Sequence, residues 1–134
     1  MKRFAVATLM LLIVAVPSFA KTHNDMYSIS CGTLWTGVKD TLRNSGKYGV
    51  MSMENTEMTA SYSIGIGAIG QKRVNSVALN SKGDGCEMVI QSGFSGLGND
   101  DAGDFKKRVD ASLAKLKSSP PPPATPAKPD DTPK

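Results

Sequence analysis

The chain has 134 residues, 40% apolar and 6% aromatic, with 16 basic against 12 acidic side chains. That suffices for one small domain and excludes a multidomain enzyme with a large buried site. Of the formal charge of +4, Lys2 and Arg3 supply two units, and the remaining balance gives no basic stripe of the kind nucleic acid demands.

Residues 1–20 read as a secretory signal: a cationic start at Lys2 and Arg3, an apolar run over 4–16, and Pro17 ahead of the small residues Ser18 and Ala20. The run is shorter than the roughly 18 to 20 residues a spanning helix needs, so cleavage after Ala20 is expected, leaving no integral membrane segment. Lys21 stands where a lipid-attachment cysteine would, so no lipid anchor is expected. The address is periplasmic or secreted. At the other end, seven of the eight prolines fall in residues 118–134, starting with Pro120 to Pro123. Such a stretch favours stiff polyproline II and lacks an apolar face, so a disordered tail is expected, with a spacer or docking peptide as the sharper reading. Between the two ends, residues 21–117 hold all 13 glycines and no proline. This is the expected folded domain, with His23 near a flexible start.

Cys31, Leu34, Trp35, Val38 and Leu42 share one face of a helix over about 30–45, which Ser28 or Ser30 can cap and Gly46 can end. Trp35 beside Leu34 belongs to the core. Residues 47–53 form a short strand candidate. Met58, Ala60, Tyr62, Ile64 and Ile66 then alternate with Thr59, Ser61, Ser63 and Gly65, a strand with one polar, exposed face. Residues 72–80 are the next strand, and the turn chemistry of 81–85 leads into Cys86, Met88 and Ile90 on alternate positions, so a hairpin is expected. After a loop over 95–103, Phe105, Val109, Leu113 and Leu116 mark a second helix, which Asp100, Asp101 or Asp104 can cap.

This order predicts an α+β two-layer sandwich: helix, antiparallel sheet of three to four strands, helix, with both helices on one sheet face. Export places Cys31 and Cys86 in an oxidising compartment, where a lone pair of cysteines forms one disulfide. It would pin the first helix to the buried face of the sheet.

Motifs of known chemistry fail on context. Residues 65–70 spell G-x-G-x-x-G, but no helix follows and the domain is too small for a doubly wound sheet, so a loop between strands is expected. Ile66 and Ile69 on it are the candidate partner contacts. Serines are many, but His23 is the only histidine, so no nucleophile and base can be assembled within the core. The aspartates at 100, 101 and 104 lack the ligand spacing of a calcium loop. No catalytic constellation, metal site or cofactor is expected. Met51, Met53, Met58 and Met88 serve either as gap-fillers or as the lining of an adaptable pocket.

Cys31-Gly32-Thr33-Leu34-Trp35, Val38-Lys39-Asp40-Thr41-Leu42, Ser45-Gly46-Lys47-Tyr48-Gly49, Asn55-Thr56-Glu57-Met58-Thr59-Ala60-Ser61-Tyr62 and Asp104-Phe105-Lys106-Lys107-Arg108-Val109 together resemble a group of small uncharacterised exported bacterial proteins. In plan alone, the order of elements also looks like the repeated domains of BamC-type outer-membrane assembly lipoproteins. That likeness implies a two-layer helix-and-sheet fold and a non-enzymatic envelope role. The expected function is therefore an exported non-catalytic protein that binds an envelope protein or cell-wall component. The alternative is a small-ligand carrier or sensor with a pocket between helices and sheet, lined by Met and Tyr side chains. Oligomeric state is left open by the sequence.

Overall fold

A computed structural model describes residues 21–65, 72–93 and 99–119. Within them the chain forms β1 (Lys21–Tyr27), α1 (Cys31–Asn44), β2 (Tyr48–Glu54), β3 (Thr59–Ile64), β4 (Arg73–Lys82), β5 (Gly85–Ser92) and α2 (Asp101–Ser118). The five strands make one antiparallel sheet in the order β1-β5-β4-β3-β2. The fold class is the expected α+β sandwich with one disulfide, but the sheet has five strands rather than three or four.

The extra strand is β1, in the segment expected to be a flexible start. Its sequence, KTHNDMY, has no apolar alternation, yet it pairs with β5 from Lys21↔Ser92 to Tyr27↔Cys86. An edge strand needs only one neighbour for its backbone, and side-chain bonds to α2 supply the rest. The Tyr27 hydroxyl donates to Asp110 Oδ1 at 2.8 Å, and Lys106 Nζ, which lies 2.6 Å from Asp110 Oδ2, sits over the Tyr27 ring. His23 lies opposite Ile90, with Nε2 3.1 Å from Asp25.

From β1, α1 carries the chain to the opposite sheet edge, and β2 to β5 return as a meander that ends beside β1. Ser30 caps α1, its hydroxyl accepting from the Thr33 N–H at 3.2 Å. Gly46, at φ 68°, ends the helix in the left-handed conformation a β-carbon disfavours. Alternation on β3 places Ala60, Tyr62 and Ile64 inward, as the sequence implies. Thr59, Ser61 and Ser63 face away from the helices, but as half-buried side chains rather than exposed ones. Met58 does not begin that strand. It sits in the preceding turn at φ 51°, and its carbonyl accepts from the Leu79 N–H.

The core lies between the sheet and the two helices: Leu34, Trp35, Val38 and Leu42 from α1, Phe105, Val109 and Leu113 from α2, and Tyr62, Val77, Leu79, Met88 and Ile90 from the sheet. The Trp35 indole N–H donates to Asn55 Oδ1, which lets a large aromatic be buried without stranding its polar group. The helices approach closely at Gly37, where a β-carbon would meet Leu113 at 2.8 Å, and Thr41 bonds Ser112 beside it. Cys31, at the start of α1, is bonded to Cys86, which is fully buried on β5; their Cα atoms are 5.0 Å apart. The expected covalent pin from helix to sheet is therefore present.

The second helix begins at Asp101, ahead of its apolar positions, because Asp100 caps it by accepting from the Gly103 N–H. Residues 101–103, expected in the loop, are thus its first turn. It runs through Ser118, one residue past the expected domain limit of 117, with Ser119 as C-cap.

Candidate functional site

The two helices run antiparallel, so one end of the sandwich gathers the last turn of α1, the first turns of α2, the start of β2, the end of β3 and the start of β4. This end is open. A cleft of about 800 Å³ lies there, lined by Lys47, Tyr48, Ile64, Gly65, Arg73 and Arg108 among others. A groove on the outer surface of the helix pair measures about 250 Å³.

Charge at the mouth is mostly positive. Arg73 forms a bidentate pair with Asp101, Nε to Oδ2 at 2.6 Å and Nη2 to Oδ1 at 3.0 Å. Asp101 is 8% exposed, so the guanidinium that meets it removes an otherwise costly buried charge and fixes β4 to the start of α2. The same bonding raises the Arg73 pKa above its ordinary value. Lys47 reaches Asp104 at 3.6 Å, and Arg108 makes no ion pair among the described residues. Three cations against two carboxylates leave a mouth that favours an anionic group.

Tyr48, which lines the cleft, packs onto an aromatic part of the core. Tyr62 and Phe105 stack with centroids 4.7 Å apart, and Tyr48 meets both rings edge-on, at 5.1 and 5.4 Å. Burial pushes the Tyr48 phenol up to about 12, against the opposing pull of nearby Arg108. Tyr62 is raised further by burial, then by Tyr48 and Asp101; Asn75 opposes this weakly from the neighbouring strand without reaching hydrogen-bond geometry.

The methionine-lined pocket anticipated for a carrier does not form. Met88 is fully buried in the core, Met53 and Met58 pack against it, and Met51 is exposed at the sheet edge. The cleft is lined instead by Lys47, Arg73 and Arg108, with Tyr48 and Ile64 beside them. Ile66 and Ile69, the sequence-derived contacts, lie outside the described residues, and so does most of the G-x-G-x-x-G motif. Cys31 and Cys86 sit at the opposite end of the sheet from the cleft and serve structure. Arg73, Arg108 and Tyr48 escaped sequence reasoning because their convergence depends on strand order. Among the described residues, no three His, Cys, Asp or Glu side chains gather to hold a metal ion, and no helix is long and apolar enough to cross a membrane.

In this order of strands, with β1 beside β5 and two helices packed on the sheet, the chain is similar in fold to solved Bet v 1-like structures. Ara h 8.0201 matches with a TM-score of 0.53 at 13% identity, over 75% of this chain and 99% of that one. CalU16 from Micromonospora echinospora matches with a TM-score of 0.52, also at 13% identity, over 72% and 74% of the two chains. At these identities the likeness is one of fold. No protein-family model matches the chain, and no curated protein matches it in sequence.

Proposed function

We propose that this chain is an exported, non-catalytic carrier or sensor of a small molecule, which it takes into the cleft between α2 and the ends of β2, β3 and β4. The observation that carries the reading is the cleft itself: about 800 Å³, within the usual range of ligand sites, with Tyr48 and Ile64 as apolar lining and Lys47, Arg73 and Arg108 as convergent polar groups. The fold alone names no ligand. Export is supported by the apolar N-terminal run and by the disulfide, since such bonds persist in oxidising compartments.

Native mass spectrometry of the full chain, purified gently from the cell that makes it, tests this. An adduct below about 500 Da that is lost on denaturation, and lost in Arg73→Gln/Arg108→Gln, is the expected result. A protein that carries no adduct, yet cross-links to one envelope protein in the same cells, would overturn the carrier reading in favour of an adaptor.

A further inference from the structure

The chain has one histidine, and its place is set by the expected cleavage site: removal of residues 1–20 makes Lys21 the first residue, Thr22 the second and His23 the third. A free amine with histidine in the third place carries four nitrogen donors in succession. Here they are the α-amine of Lys21, the backbone amide nitrogens of Thr22 and His23, and the Nδ1 of the His23 ring. They close around one metal ion as fused chelate rings in a single plane, and a planar nitrogen set selects Cu(II) or Ni(II). Neither Thr22 nor His23 is proline, so each amide nitrogen has a proton to release. The backbone supplies most of the donors, so no cluster of ligating side chains is required.

The structure leaves these donors within reach. Lys21 to His23 open β1, an edge strand, and the His23 side chain is 37% exposed. Its Nε2 lies 3.1 Å from Asp25 Oδ2, a buried oxygen with no other partner among the described residues. A proton on Nε2 offers that oxygen a donor and leaves the lone pair on Nδ1, the ring nitrogen the chelate uses. Carboxylates behind metal-binding imidazoles fix the tautomer in this way. Successive N–H groups of a strand point to opposite sides, so of the Thr22 and His23 amides one faces β5 and the other the open edge. The metal therefore displaces ladder bonding only at the start of the strand, opposite Gln91 and Ile90. At the far end Tyr27 pairs with Cys86 and bonds Asp110, so the first residues can turn about an ion while the rest of β1 stays on β5.

We propose that the mature chain binds one Cu(II) or Ni(II) ion at its N-terminus through Lys21, Thr22 and His23. The ion replaces three protons, one from the Lys21 ammonium and one from each amide, so neutral or alkaline solution loads the site and acid empties it. The site is separate from the cleft and rests on export with cleavage after Ala20.

The test uses the protein exported on its own signal, purified, stripped with a chelator, and its N-terminus read by mass spectrometry. Titration with Cu(II) should load one ion per chain and give the violet colour and four-nitrogen hyperfine pattern of a square-planar centre in electron paramagnetic resonance. One residue added before Lys21 keeps His23 but moves it to the fourth place, and should abolish both signals; His23→Gln should do the same. Diamagnetic Ni(II), followed by ¹H–¹⁵N NMR in the unsubstituted protein, should move the signals of 21–25 and 90–92 and leave those of Tyr27, Cys86 and the cleft in place. That readout does not depend on any variant folding. A mature N-terminus other than Lys21, a four-nitrogen spectrum that survives the added residue, or the absence of Cu(II) binding would overturn the proposal. None of these results bears on the carrier reading, which native mass spectrometry tests separately.

Discussion

Removing the disulfide is the perturbation whose magnitude the structure sets most directly. The bond closes a loop of sequence separation 55, and loop-closure entropy at that length is worth about 4 kcal/mol. The Cys86 sulfur is fully buried, so truncation to alanine adds about 1 kcal/mol of lost burial. A domain of this size has about 5 to 15 kcal/mol in total, so Cys31→Ala/Cys86→Ala should leave a folded but much weakened protein. In urea, with a slope of about 1.5 kcal/mol per molar, the midpoint should fall by roughly 3 M. The slope itself should rise, because the uncrosslinked chain exposes more surface when it unfolds. Circular dichroism at equilibrium reads both quantities, and reduction of the unsubstituted protein should reproduce the shift. A midpoint that moves by less than about 0.5 M, while thiol titration finds no free cysteine in the parent protein, would refute the reasoning.

Two further outcomes test the packing. All three tyrosines have raised pKa values, chiefly by burial, with the Asp110 hydrogen bond adding at Tyr27. A raised phenol favours the fold while protonated, so its contribution is fully present below the unfolded value of about 10 and is lost as pH climbs toward the folded value, about 12 at Tyr48. Absorbance near 295 nm should therefore show no tyrosine ionising with an ordinary midpoint, and ionisation should coincide with loss of helical signal; a separate step near pH 10 in folded protein would contradict this. Gly37→Ala should destabilise the protein by about 1 to 3 kcal/mol despite alanine's better helix propensity, because the new β-carbon would lie 2.8 Å from Leu113. The double substitution Gly37→Ala/Leu113→Ala should cost less than the sum of the two single changes, a non-additivity that thermal melts of the four proteins can detect.

Local pattern sufficed for the elements that bury an apolar face. The spacing of Leu34, Trp35, Val38 and Leu42 located α1 and its core side, and the alternation through Ala60, Tyr62 and Ile64 located β3, because burial forces those periods on any helix or strand that packs. Strand β1 was illegible. Its inward residues are His23, Asp25 and Tyr27, and it is held by backbone pairing to β5 and by polar bonds to α2, neither of which leaves an apolar period. Turn chemistry placed the hairpin, and cysteine parity with Met88 and Ile90 anticipated the disulfide's place on the buried face.

The buried polar residues and the candidate site divide along the same line. Asn75 shares strand parity with Val77 and Leu79, and Ser92 with Met88 and Ile90, so two polar residues on the buried side of two strands were visible as an anomaly. Parity states which face a residue takes and nothing about its neighbours across the sheet. Register between strands distant in sequence aligned Tyr62, Asn75 and Ser92 into one row, and the antiparallel helix pair brought Arg73, Arg108 and Tyr48 to one mouth. Sequence by itself determined the covalent pair, the core faces and the two-layer class, since each follows from periodicity or from residue chemistry alone. Strand order, the fifth strand and the convergence of side chains at the cleft were decided only by tertiary structure, because non-local pairing leaves no period in the chain that forms it.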